Sequence, residues 1–149
     1  MAIRAILLVD DDEDFLDIAK RAIEHEQLGA TVSVARSGFE ALSKLGLTSG
    51  DTAGPAKEFA AIFVDLNLPG VDGWEVLRRI RADNQLHRLP VVVVSSSAQA
   101  GDVGRSYDLG ANSYVVKQYD PSGPGRYLAR AMRYWLELNR PATAAPRLS

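Results

Sequence analysis

Asp10-Asp11-Asp12 closes a short apolar run, Ala5 to Val9. Farther along, Asp65 closes Phe59 to Val64, Ser95-Ser96-Ser97 follow Val91 to Val94, and Lys117 follows Tyr114 to Val116. Carboxylates gathered at one place repel each other, and a cation must offset that or their pKa values rise. Oxygen ligands with no His or Cys nearby suit a hard cation, Mg2+ or Mn2+. A lysine facing them can hold an anion that also touches the metal. Metal, carboxylate, hydroxyl and amine around one point suit phosphoryl transfer, which is mostly positioning and charge neutralisation. A carboxylate can itself accept the phosphoryl group, as an aspartyl phosphate. Each piece alone has a plainer reading. An Asp after a strand often caps a helix, as Asp12 or Glu13 could. Serine runs are usually loops, and single lysines are usually solvated. Their joint occurrence at successive strand ends favours a site.

Those side chains meet only if the right elements carry them. Three of the apolar runs alternate little with polar residues and are rich in Val and Ile, as strands buried on both faces of a parallel sheet are. Thr31 to Ala35 supplies one more run. Between the runs lie stretches with helical spacing. They are Phe15, Ile18, Ala19, Ala22 and Ile23, then Trp74, Leu77 and Ile80, then Tyr107 and Leu109, and last Gly125 to Asn139. Strand and helix alternate throughout, which predicts a doubly wound α/β domain. Ligands of such sheets bind beyond the carboxyl ends of the strands. Gly29 is expected as the left-handed cap of the first helix. Ser37 with Glu40 reads as a capping box, and Pro90 opens the fourth strand, where its missing N–H does least harm.

Composition narrows the classes. The 149 residues correspond to one domain, large enough to bury a core without disulfides or metal staples. Seventeen Lys and Arg face 19 Asp and Glu, a net charge of −2. That disfavours nucleic acid and anionic membrane surfaces as partners. Cysteine is absent, so thiolate metal sites and cysteine nucleophiles are excluded. The apolar runs are far shorter than the ~20 residues of a membrane span. No signal-peptide pattern opens the chain, so a cytoplasmic protein is expected. Gly46 to Glu58 reads as a mobile surface loop, and residues 141–149 as a flexible tail after a domain of residues 1–140.

Several rival readings fail on particular residues. Asp10-x-Asp12 is similar to the aspartate-nucleophile phosphatases of the haloacid dehalogenase type, but Asp14 stands where those want Thr or Val. An EF-hand needs Gly where Phe15 stands and Glu where Arg21 stands. A dinucleotide fold needs a glycine fingerprint that is missing after the first strand. His25 and His87 sit apart and form no metal-ligand pattern.

From residue 3 to about 139 the chain resembles response-regulator receiver domains. The likeness rests on Asp10-Asp11, on Asp65-Leu-Asn-Leu-Pro-Gly-Val-Asp72-Gly73, on Ser95, and on Gly110-Ala111 leading to Tyr114 and Lys117. It implies a flavodoxin-like fold with a five-stranded parallel sheet in the order 2-1-3-4-5. It also implies that Asp65 accepts a phosphoryl group from a histidine kinase. Asp10, Asp11, Asp65 and the Asn67 carbonyl would hold Mg2+, and Lys117 and Ser95 would contact the phosphoryl oxygens. Ser95 and Tyr114 would then switch the surface of the fourth helix, fifth strand and fifth helix. A receiver catalyses its own phosphorylation but does not turn over an external metabolite.

Two departures stand out. Ser95 takes the usual threonine's place, keeping the hydroxyl without the stiffening methyl. Gln118 takes the place of a proline that usually follows the lysine through a cis bond, and a non-proline cis bond costs ~3 kcal/mol. Either that strain is kept or the loop runs differently. The stretch Ser106-Tyr-Asp-Leu-Gly-Ala-Asn-Ser-Tyr and the long loop before the third strand are similar to stand-alone receivers serving bacterial phytochrome-type histidine kinases. Receivers that bind without being phosphorylated lose acid-pocket residues, whereas all of them stand here.

The last helix carries a separate signal. Arg126, Arg130, Arg133, Glu137 and Arg140 gather on one side of a helical wheel, and apolar residues spread over about 220° of the rest. Packing on a sheet needs a narrower stripe. Aromatic residues and Arg are enriched at interfaces. A homodimer through Tyr127, Tyr134, Trp135 and Leu138 is expected.

Overall fold

Unbroken apolar runs become central strands. In β1 (Ala5–Val9), β3 (Ala61–Val64) and β4 (Val91–Ser95) every residue is buried. β2 (Thr31–Ala35) and β5 (Ser113–Val116) flank them and are partly exposed. The structure, a computed structural model, describes residues 5–48, 58–121 and 123–142. All five strands are parallel in the order β2-β1-β3-β4-β5, the doubly wound arrangement predicted. Residues 1–4, most of the expected mobile loop and most of the expected tail lie outside the described residues.

Helices α1 (Glu13–His25) and α5 (Arg126–Arg133) cover one face, burying Leu16, Ala19, Leu128 and Met132 against Ile6, Leu8, Phe63 and Val92. Helices α2 (Gly38–Lys44) and α3 (Gly73–Ala82) cover the other, with Leu42, Leu77 and Ile80 against Leu7, Ile62, Val64 and Val93. α4 (Ala100–Asp108) contributes one buried residue, and that residue is Ser106. No helix among the described residues is long and apolar enough to cross a membrane.

Some boundaries differ from expectation. α1 ends at His25, four residues before Gly29, with Glu26 as its C-cap. Gln27 turns left-handed first (φ 53°), and its N–H bonds to the Glu24 carbonyl, closing the helix early. Gly29 then serves the turn into β2. Ser37 Oγ accepts from Glu40 N–H at 3.0 Å, as expected, but the Glu40 carboxylate accepts from Arg36 N–H rather than from Ser37. The final helix changes to a π-helical turn over Tyr134–Leu138. Of its arginine row, Arg126 and Arg133 are not simply solvated. Both pair with Glu26 at the end of α1, which pins α5 to α1.

A half-buried cation braces the β4 and β5 side. Arg81 on α3 donates to the carbonyls of Gly110, His87 and Leu89 and to Asn112 Oδ1, at 2.7–3.0 Å. Asn112 Oδ1 also accepts from Val91 N–H. Burial lowers the Arg81 pKa, and these neutral acceptors replace the water it gives up.

Candidate acidic site at the strand ends

Register builds the site. Val9 pairs with Val64 across β1 and β3, so the next residues along, Asp10 and Asp65, emerge side by side. The ladder continues past the strands. Asp65 N–H donates to the Val9 carbonyl, Asp10 N–H to the Ala35 carbonyl and Lys117 N–H to the Ser95 carbonyl. The backbone under Asp10, Asp65 and Lys117 is therefore held by a neighbouring strand. Asp12 leaves the cluster to cap α1, accepting from Asp14 and Phe15 N–H.

The carboxylates converge as expected. One oxygen each of Asp10, Asp11 and Asp65 lies within 4.8 Å of the other two. Asp10 and Asp65 are buried and Asp11 is exposed, which leaves the cluster open to solvent on one side. Lys117 Nζ reaches both buried acids, at 2.8 Å from Asp10 Oδ2 and 3.4 Å from Asp65 Oδ2. The Asp10 contact is an ion pair without hydrogen-bond alignment, so Oδ2 is a buried oxygen with no hydrogen bond. Its other oxygen accepts from Asp12 N–H at 2.9 Å. Burial pushes the Asp10 carboxyl above its ordinary pKa, with the nearby Asp65 charge adding to it and Lys117 opposing. Burial pulls the Lys117 amine down, but Asp10 and then Asp65 outweigh it, so its pKa is raised and it stays charged.

This donor set fits a divalent cation. Lys117 neutralises only part of the charge of three carboxylates, and a buried carboxylate oxygen lacks a hydrogen bond. All the candidate ligands are oxygens, the preference of Mg2+ and Mn2+.

Ser95 is fully buried at the end of β4, beside β3, and its Oγ accepts from Ser97 N–H at 3.1 Å. Tyr114 packs on the core from β5 and donates its hydroxyl to the Ser97 carbonyl at 2.8 Å. Asn67 is exposed, and its N–H faces Asp65 Oδ1 at 3.4 Å. The described residues include no cis peptide bond, so Gln118 follows Lys117 in trans and the loop runs differently from the proline-bearing pattern. Of the residues expected at a dimer interface, Tyr134 and Leu138 are exposed, at 47% and 77%. Tyr127 and Trp135 pack partly against the chain's own core.

Some contributors are not legible in the sequence. Gly73 faces the backbone of the site: a Cβ there would lie 2.1 Å from the Asp65 carbonyl oxygen. Its place in the Asp72-Gly73 motif is the one signal for it. The Phe15 ring sits beneath Lys117, its centroid 4.3 Å from Nζ. Ser97 Oγ donates to Asp102 Oδ2 on α4 at 2.6 Å, a contact with no sequence signature.

The chain is similar to proteins of known family. The response regulator receiver domain family matches residues 6–123. "Probable methanogenesis regulatory protein FilR2" of Methanothrix harundinacea is 34% identical over 91% of this chain and 85% of its own length. Response regulator Rcp1 of Synechocystis is 30% identical over 90% of each chain. The crystal structure of its Mn2+-bound form superposes with a TM-score of 0.78, at 27% identity, covering 94% of this chain and 99% of that one. The phosphorylated cyanobacterial phytochrome response regulator RcpA gives a TM-score of 0.80 at 31% identity, covering 95% of this chain and all of that one. With its sheet order and the convergence of Asp10, Asp65 and Lys117, the chain belongs to the response regulator receiver domain family.

Proposed function

We propose that this chain is a response-regulator receiver in which Asp65 accepts a phosphoryl group from a histidine kinase. The observation that carries the proposal is the Lys117 amine held between Asp10 and Asp65 beside a three-carboxylate cluster. In the proposed step an Asp65 carboxylate oxygen attacks phosphorus. An O–P bond forms and the P–N bond to the kinase histidine breaks, leaving the electron pair on that nitrogen. Asp10, Asp11, Asp65 and the Asn67 carbonyl would hold Mg2+ or Mn2+, which when bound supplies positive charge to the phosphoryl oxygens. Lys117 contributes a fixed cation and Ser95 a hydroxyl donor to the same oxygens. Phe15 limits where the Lys117 amine can go.

The phosphorylated state of RcpA and the Mn2+-bound form of Rcp1 support this reading by likeness. RcpA being a phytochrome response regulator favours a phytochrome-type kinase as donor. We take residues 1–140 as the receiver and 141–149 as its tail, working in the cytoplasm on proteins rather than on nucleic acid or membrane. The chain signals or relays the group rather than turning over a metabolite.

A homodimer through the last helix belongs to the same proposal. The exposed Tyr134 and Leu138 beside the half-buried Tyr127 and Trp135 support it. Light scattering at micromolar concentration should give twice the 16.2 kDa chain mass. A monomer mass with and without phosphorylation contradicts the dimer.

Intact mass after incubation with acetyl phosphate and Mg2+ tests acceptance. One phosphoryl group (~80 Da) should add to wild type and not to Asp65→Ala. If neither an adduct nor a beryllofluoride complex forms on folded protein, the chain is instead a receiver-like binding module that is not phosphorylated.

A further inference from the structure

The carboxyl end of β4 connects to α4 through one side chain. Ser97 N–H donates to Ser95 Oγ at 3.1 Å, and Ser97 Oγ donates to Asp102 Oδ2 at 2.6 Å. The Ser97 carbonyl accepts the Tyr114 hydroxyl at 2.8 Å. The chain of bonds continues along α4. The Asp102 carbonyl accepts from Ser106 Oγ at 2.8 Å, and Ser106 Oγ accepts from the Trp74 indole N–H at 3.3 Å. Arg105 closes the far side, stacked 3.9 Å over the Trp74 ring. An unbroken polar path thus runs from the Ser95 hydroxyl to an indole on α3.

The build of α4 makes that path matter. Its N-cap, Gln99, makes no side-chain capping bond, and Gln99 N–H instead donates to Ser97 Oγ at 3.3 Å. The helix contains Gly101 and Gly104, both with open space where a side chain would be. Each weakens a helix by roughly 1 kcal/mol relative to alanine. Only Ser106 is buried. Apolar packing therefore does little to fix α4, and its position depends on these few bonds. An acidic residue in its first turn is favoured by the helix dipole. Asp102 holds that place while also anchoring Ser97.

We propose that Ser97 is the positioning residue that couples Ser95 to α4, its hydroxyl carrying any shift at the phosphoryl site to Asp102, Ser106 and Trp74. This rests on the acceptor reading of Asp65 and deepens it. A Ser95 hydroxyl drawn toward a phosphoryl oxygen moves the acceptor of Ser97 N–H. The Ser97 loop must follow or give up that bond, and whichever it does, Asp102 and Tyr114 are bonded to the same residue.

The chain has two tryptophans, so two indole N–H resonances report, and Trp74→Phe assigns them. Beryllofluoride with Mg2+ should move the Trp74 resonance in wild type. In Ser97→Ala the 19F signal of bound beryllofluoride should remain, while the Trp74 shift falls to under a third. Ser97→Thr, which keeps the hydroxyl, should restore it. A full Trp74 shift in Ser97→Ala overturns the coupling while leaving acceptance intact. A wild type with no bound 19F signal overturns the acceptor reading instead. The coupling is then decided without ligand: Ser95→Ala should move the Trp74 resonance in wild type but not in Ser97→Ala. Equal movement in both backgrounds overturns it.

Discussion

At β1 and β3 every strand residue is buried, and Asp10 and Asp65 stand on backbone bonded to the neighbouring strand. At β5 and α4 the strand is only half-covered and the helix buries a serine. The first region is held by apolar area, which is non-directional and costly to disturb. The second is held by a small set of directional bonds, each worth only ~1 kcal/mol net. The difference separates two tasks. The acids that would hold metal and phosphoryl group need fixed spacing, because charge stabilisation falls off with misplacement. The surface that would report the event needs a second arrangement within reach, and elements with few apolar contacts supply it.

This comparison breaks first if a core substitution proves mild. Phe63 is fully buried in β3 against α1 and α5, so Phe63→Ala should cost about 4 kcal/mol in urea unfolding. A cost under ~1 kcal/mol would mean the floor is not the rigid region. Gly73→Ala drives a Cβ onto the Asp65 carbonyl oxygen and should cost about 3 kcal/mol, with weakened metal binding, measured by unfolding and Mg2+ titration. Arg81→Ala strips donors from three carbonyls and Asn112 and should cost about 2 kcal/mol by the same unfolding assay.

Two smaller effects sharpen it in the opposite direction. Asp10 has a pKa raised by burial, so the folded state binds its proton more tightly than the unfolded state does. At neutral pH the charged form therefore works against folding, and that cost fades as pH falls through the raised pKa toward the ordinary carboxylate value. In metal-free buffer Asp10→Asn should raise the Tm, and the gap from wild type should narrow with acidification. A Tm that drops instead would mean Lys117 depends on Asp10 more than the cluster suffers from it. Gly104→Ala meets open space in α4 and should stabilise by up to about 1 kcal/mol while slowing α4 amide exchange. The same Gly-to-Ala change thus takes opposite signs at positions 73 and 104.

The strands and the site are legible in the sequence because both arise from local pattern. A buried parallel strand announces itself as an apolar run, and the residues just after such a run land at the carboxyl edge. Asp10, Asp11, Asp65, Ser95 and Lys117 need no further information to be placed there. Contacts made by long polar side chains leave no such trace. Arg81 reaches residues 29 and 31 positions away, and nothing periodic marks that. The same holds for Phe15 beneath Lys117 and for Ser97 with Asp102. Gly29 is not the expected cap because Gln27 adopts the left-handed conformation that glycine usually supplies. The excess apolar arc of the last helix is real in sequence. It divides into Leu128, Met132 and Leu136 in the core and Tyr134 and Leu138 outside, where the π-helical turn shifts the helix phase.

Amide hydrogen exchange with and without beryllofluoride and Mg2+, on wild type and Asp65→Asn, tests most directly whether charge at Asp65 is read through α4. The account predicts a change of about fivefold or more in residues 96–108 of wild type, almost none in β1 and β3, and no change in Asp65→Asn. Exchange that changes as much in β1 and β3 as in α4, or that leaves α4 untouched, would contradict it.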